Sequence, residues 1–206
     1  ESGNENDAEV HGATLVADRN GETGKAYIFD GKDDYIIVDE PSWPSGNSER
    51  SVSVWFKARS TNSNTENGNS GGNLFTFGDS DAKPNARFSV LLPGDQVLYF
   101  AGENNDQDFR VINLIDRWFN LILTYDGGVG VLYLNGDNVG EFSKTLDTDG
   151  GKPLIIGGNT YSRIIRNSNH EFFDGSIDDV RVYNRVLSEA EVAALYELES
   201  KPDPLT

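Results

Sequence analysis

Short runs in which apolar and polar residues alternate recur along the chain, and Gly, Asp, Asn and Pro sit between them. That pattern predicts β-strands over Lys25 to Asp30, Asp34 to Val38, Ser51 to Ala58, Asn73 to Phe77, Ala86 to Leu92, Gln96 to Ala101 and Asp108 to Leu114. In Ser51 to Ala58 the period of two puts Val52, Val54, Phe56 and Ala58 on one face. Trp55 then points the other way, so both faces of this strand must be covered, as a two-layer sandwich provides. The clearest local pattern is a meander. Trp118 to Tyr125, Val129 to Leu134 and Asn138 to Phe142 read as strands, joined at Asp126-Gly127-Gly128 and at Asn135-Gly136-Asp137. Asn-Gly favours a tight hairpin because both residues tolerate positive φ.

One helix stands out, near the C-terminus. Ser188 is a good N-cap, Glu191 completes a capping box, and Leu187 and Val192 occupy the positions of a hydrophobic staple. Val192 and Leu195 continue an apolar stripe. Lys201-Pro202-Asp203-Pro204 reads as the start of a linker, which sets a domain over 1–200 and a linker over 201–206. The polar run Arg59 to Gly72, RSTNSNTENGNSGG, is too long for a simple turn and reads as a mobile insertion rather than a ligand loop.

Composition narrows the possibilities. A chain of 206 residues fits one all-β domain. No apolar window reaches the length of a membrane-spanning helix, which sets aside membrane insertion. The polar opening Glu1 to Glu9 is unlike a signal peptide, and with no methionine the chain reads as a mature or excised piece of something longer. Cysteine is absent, which excludes thiol catalysis and zinc–thiolate sites. The net charge of −17 opposes nucleic acid and anionic membranes; it suits an exported protein, salty surroundings or calcium.

Four stretches, in order, carry a family likeness. SGNENDAEVHGATLVADRNG with AYIFDGKDDYIIV, then SVSVWFKA, RWFNLILTYDGGVGVLYLNGDNVG and FFDGSIDDVRVYNRVLSEAEVAALYE resemble bacterial laminin-G-like domains, with a pentraxin-like close. These are members of the concanavalin A-like lectin/glucanase superfamily. The resemblance implies a jelly roll of two antiparallel sheets with one short C-terminal helix, and ligands on a concave face or rim loops. It also implies one more strand ahead of the SGN segment, which itself corresponds to a loop. Trp55 and Trp118 match core positions of the family. Because this fold carries lectins, adhesins and glycosidases alike, function rests on the site.

Glucanases of the superfamily alternate their acids along one strand, as Glu-x-Asp-x-x-Glu, and no such pattern occurs here. Adjacent Asp178 and Asp179 face opposite sides of a regular strand. His11 and His170 are the only histidines, and nothing local pairs either with a carboxylate at ligand spacing. The expected class is therefore a non-catalytic carbohydrate-binding or adhesion module of a larger secreted bacterial protein, with neighbouring domains in the same chain. A protein–protein or spacer module of an adhesin is the alternative, and a glucanase or polysaccharide lyase of the same fold a further one. By analogy with the family a structural calcium joins the early loop to the last strand, with Asp30, Asp178 and Asn4 as ligands. The candidate glycan contacts are Trp43, in the loop EPSWP, and Tyr161, Arg163, Arg166 and His170 in the loop from Asn159 to Asp174. The ring supplies an apolar platform, and the two arginines could meet a carboxylate or sulfate on an acidic polysaccharide, unless they serve ordinary ion pairs.

Overall fold

The structure is a computed structural model that describes residues 8–39, 43–60, 72–79, 83–165 and 171–201. The strands are β1 (Ala8–His11), β2 (Thr14–Val16), β3 (Ala26–Asp30), β4 (Tyr35–Val38), β5 (Arg50–Ala58), β6 (Gly72–Gly78) and β7 (Arg87–Gly94). They continue with β8 (Val97–Ala101), β9 (Gln107–Arg110), β10 (Phe119–Tyr125), β11 (Val129–Leu134), β12 (Asp137–Ser143), β13 (Leu154–Ile156) and β14 (Asp174–Tyr183). Two helices, α1 (Tyr161–Ile165) and α2 (Glu189–Glu199), complete the fold. Two seven-stranded antiparallel sheets result, ordered β1-β4-β13-β6-β7-β8-β9 and β12-β11-β10-β5-β14-β3-β2. This is the expected jelly-roll β-sandwich. Of the run Arg59 to Gly72, read as a mobile insertion, all but Arg59, Ser60 and Gly72 lies outside the described residues.

Aromatic side chains fill the space between the sheets. Phe100 on β8 stacks on Phe142 of β12 at 4.2 Å, and Phe88 on β7 meets Tyr125 of β10 at 6.2 Å, so rings of the two layers interlock. Phe56 and Phe119 stack within the second sheet. Such pairs add about 0.5–1.5 kcal/mol each beyond the area they bury.

The outer face of the second sheet is closed by α2. Ser188 accepts from the Glu191 amide while Glu191 accepts from the Ser188 amide, as the capping box requires. Leu187 and Val192 pack with Ile122 and Tyr133 in a small second core. Trp55, outward on β5, is 5 % exposed: it stacks on Tyr196 and donates to Glu199, with Arg19 over its ring. Trp118, matched to a core position, is only half-buried.

Residues 8–16, read as loop, instead form β1 at the edge of the first sheet and β2 at the edge of the second. Gly12, at φ 74°, makes the crossing, and a Cβ there would lie 1.8 Å from the Asp34 carboxylate. A second departure concerns Asp178 and Asp179. The β14 register shifts between Asp178 and Arg181, and Asp179 takes φ 46°. This bulge brings both acids to Arg19, at 2.5 and 2.8 Å, rather than to opposite faces.

Arg50 is the largest fully buried side chain. It has no carboxylate among its contacts; its guanidinium donates to the carbonyls of Pro44, Ser45, Gly46 and Ser48 at 2.9–3.3 Å and lies over the rings of Phe88 and Tyr125. Burial pulls its pKa down to about 10, so it stays charged at neutral pH. One side chain thus gathers the whole 44–48 loop. Replacing it by Met removes these charge-assisted bonds and leaves the carbonyls unpaired; urea denaturation of Arg50→Met is expected to show a loss of about 2–4 kcal/mol.

Candidate functional site

With α2 over one sheet, the outer face of the other remains open, and β6–β9 form its floor. Alternation along β7 sends Phe88, Val90 and Leu92 into the core and leaves Arg87, Ser89 and Leu91 outward. On β8 Leu98 and Phe100 point in, while Val97, Tyr99 and Ala101 point out. A cleft of about 580 Å³ lies on this face, floored by Leu91, Val97, Tyr99 and Ala101 and walled by Pro93, Glu103, Asp106, Asp108, Arg163 and Glu171.

Its polar end is a buried network. In β6 a register shift between Asn73 and Phe75 lets Leu74, Phe75 and Phe77 all enter the core while Asn73 turns outward. Asn73 then pairs through its amide N–H with the Glu171 carbonyl at 2.9 Å, and its Nδ2 donates to the Glu171 carboxylate at 2.9 Å. Arg87 donates to the same carboxylate at 2.7 Å and to Asn73 Oδ1 at 2.8 Å; Ser89 donates to Asn73 Oδ1 at 2.6 Å. Gly72 permits this approach, because a Cβ there would lie 2.4 Å from the Phe173 Cα. Desolvation would raise the Glu171 pKa, yet Arg87 and the Asn73 and Arg87 hydrogen bonds outweigh it and hold the carboxyl below its ordinary value.

Arg163, carried by α1, stands between two acids: one nitrogen is 3.7 Å from Glu103 and another 3.8 Å from Glu171. Glu103 sits in a left-handed turn at φ 62°, and its carbonyl accepts from the Asn85 amide. Its pKa is raised, because burial outweighs the attraction of Arg163 and Arg87. Tyr99 is pushed upward too, first by burial and then by the hydrogen bond to Asp106. Asp106 also accepts from the Gly102 amide at 3.0 Å, which fixes the β8–β9 turn.

Of the candidate glycan contacts, the structure brings only Arg163 into this cleft. Tyr161 lines a different hollow of about 680 Å³, with Glu9, Ile37, Asp39 and Lys152. Trp43 is no free platform: its indole donates to the Val38 carbonyl at 3.2 Å and meets Phe77 edge-on at 5.6 Å, closing an end of the core. Arg166 and His170 lie outside the described residues. Sequence reasoning missed Arg87, Tyr99, Glu103 and Glu171.

The expected calcium ligands are not assembled either. Asp174, not Asp178, pairs with Asp30 in register, so Asp178 lies about 13 Å further along β14, held by Arg19. Burial and the neighbouring Asp179 raise its pKa against that pairing. Asn4 lies outside the described residues. Asp30 instead gathers with Asp33 and Asp34, their ligand oxygens all within 4.8 Å of one another. Burial raises the pKa of Asp34, and the charges of Asp30 and Asp33 add to the effect.

A family model described as the concanavalin A-like lectin/glucanases superfamily matches residues 30–193. A search of curated proteins finds no match. Among solved structures, domain 4 of AbnA, an extracellular arabinanase from Geobacillus stearothermophilus in complex with arabinotriose, is 23 % identical with a TM-score of 0.67; the match covers 92 % of this chain and 87 % of that one. The binding domain of Paraclostridial Mosquitocidal Protein 1 is 20 % identical at TM-score 0.68, over 96 % of this chain and 48 % of that one. The botulinum neurotoxin serotype D ligand-binding domain, in complex with N-acetylneuraminic acid, is 14 % identical at TM-score 0.65, over 95 % and 47 %. This chain therefore spans about half of the two toxin domains. At such identities the likeness is one of fold.

Glu171 sets an acid limit on the site. Its folded pKa is depressed below the ordinary 4.5, so the unfolded chain takes up the proton first as pH falls. The stability it contributes is therefore full above about 4.5 and is lost as pH drops through the folded value. Glu171→Gln strands the buried Arg87 charge and is expected to cost about 3–5 kcal/mol at pH 7. Chemical denaturation across pH 3–7 should also show a flatter acid limb in this variant than in the parent.

Proposed function

Because the chain belongs to the concanavalin A-like lectin/glucanases superfamily, we propose that it is a non-catalytic carbohydrate-binding or adhesion module of a larger secreted bacterial protein, holding its glycan in the cleft over β6–β9. The observation that carries this reading is the unequal treatment of the two sheets: α2 covers one outer face, while the other keeps an open cleft. That cleft combines a half-buried tyrosine ring and aliphatic floor with fixed charged groups at one end. A saccharide has matching parts, since its C–H face packs on apolar surface and its hydroxyls pair with oriented polar groups. Saccharides bound to two proteins of like fold, arabinotriose and N-acetylneuraminic acid, lend support. Secretion and neighbouring domains belong to the same reading. No described helix is long and apolar enough to cross a membrane.

Glycoside hydrolysis is the second reading, favoured by one observation. Glu103 and Glu171 line one cleft with pKa values pushed in opposite directions, as an acid and its partner need. Arg163 counts against it, because its guanidinium occupies the space between the two carboxylates that a scissile bond would need. Release of reducing sugar from a bound polysaccharide would decide for hydrolysis. A spacer module of an adhesin would bind no glycan at all.

A structural calcium is part of the proposal, held by Asp30, Asp33 and Asp34 at the β3–β4 turn. Three clustered carboxylates with only Lys32 nearby, 3.8 Å from Asp30, repel one another, and a divalent cation would relieve that repulsion.

Two measurements test these assignments. Affinity electrophoresis against plant and marine polysaccharides should show retardation that Tyr99→Ala weakens about tenfold, while Trp43→Ala lowers the melting temperature and keeps the affinity. EDTA should lower the melting temperature of the parent by several degrees and leave that of Asp30→Asn unmoved; an equal response in both proteins removes the calcium assignment.

A further inference from the structure

The charges of the cleft bear on which saccharides it accepts. Among the described lining residues four carboxylates, Glu103, Asp106, Asp108 and Glu171, face two guanidiniums, Arg87 and Arg163. Neither guanidinium is at liberty to receive an anion. Arg87 is 4 % exposed and spends one terminal nitrogen on Glu171 and Asn73. Arg163 stands between Glu103 and Glu171. An incoming carboxylate or sulfate at Arg163 would compete with Glu103, a 15 % exposed acid whose ion pair it would weaken. It would also meet the negative charge of exposed Asp108, which has no ion pair among the described residues, within a chain whose net charge is −17.

One donor in the site is unsatisfied. Among the described residues the buried Nε of Arg87 has no hydrogen-bond partner, although such a group ordinarily finds one. Sugar hydroxyls can donate to the wall carboxylates Asp106, Asp108 and Glu103 without adding charge. The apolar remainder of the floor, Leu91, Val97 and Ala101, holds no cation that would offset an anionic ligand.

We infer that the cleft is selective for uncharged saccharides and rejects their uronic, sulfated and sialylated counterparts. This rests on the saccharide-binding reading above and fixes the ligand class of that same site. For Arg163 it favours the ordinary ion pairing that the sequence also offered over contact with an acidic polysaccharide.

The test uses the full chain on an array of matched pairs, each an uncharged oligosaccharide and the same structure bearing a uronate, sulfate or sialic acid. Pairs that respond are then followed by calorimetry at low salt. The uncharged member is expected to bind, with its acidic counterpart at least about tenfold weaker. Added salt should narrow the gap through screening. Asp108→Asn, which removes an exposed charge from the wall, should narrow the ratio of the two affinities severalfold, whatever its effect on the uncharged member alone. Equal or tighter binding of the acidic members overturns the selectivity and leaves the saccharide reading standing. An unchanged gap in Asp108→Asn overturns the assignment of selectivity to this cleft. Silence of both members across the array overturns the selectivity and the saccharide reading together.

Discussion

Glu171 is the constraint around which the open face is organised. Arg87 opens β7 and is buried by its neighbours, and a buried guanidinium requires a countercharge. Glu171 supplies it from the segment leading into β14, a strand of the opposite sheet, and Asn73 fixes its direction with bonds to both its carbonyl and its carboxylate. The bulge in β6 serves this arrangement, because without it period-two alternation would put Asn73 on the inward face with Phe75 and Phe77. A buried ion pair gives little net stability over well-packed apolar groups of the same size. What this one provides is position: it pins the connection between the layers at the place where the cleft ends, and so sets where α1 and Arg163 can stand.

The opposite face uses charge differently. Arg19, Asp178, Asp179, Arg181 and Glu199 form a linked set over Trp55, tying the segment after β2, the bulged strand β14 and the end of α2 to one another. Every member has a partner of opposite sign, and the indole underneath is sealed. This is a structural use of charge. In the cleft, by contrast, four carboxylates face two guanidiniums among the described lining residues, so the charges do not balance.

How much of this was legible depends on the range of the interactions involved. The strands from β3 to β12 follow from period-two alternation, and α2 follows from Ser188 and Glu191, because those signals lie within a few residues of the elements they specify. β1, β2 and β13 were not anticipated, since Ala8–His11 and Thr14–Val16 are short, exposed edges whose pairing comes from distant strands. The Asp178–Asp179 bulge escaped for a related reason: alternation presumes a regular strand, and Arg19, 159 residues away, holds both acids. For Trp43 the error was one of context. A tryptophan between prolines has no periodic reason to be buried, yet Phe77 and the Val38 carbonyl hold it at the end of the core.

The cleft itself was half visible. RFSVLLPG shows an arginine on the face opposite Phe88 and Val90, and an arginine on a strand with both faces buried is an anomaly that could have been pursued. Its partner could not have been named, since Glu171 lies 84 residues on and is joined to it only by the sandwich topology. The same distance explains why Arg163 read as available. In sequence its nearest charged neighbour is another arginine, and two cations in an acidic chain suggest an anionic ligand. In space it has two carboxylates on either side, so the charge that seemed to await a ligand is already neutralised by the protein. An uncharged polyol, the ligand class proposed above, would leave these pairs intact.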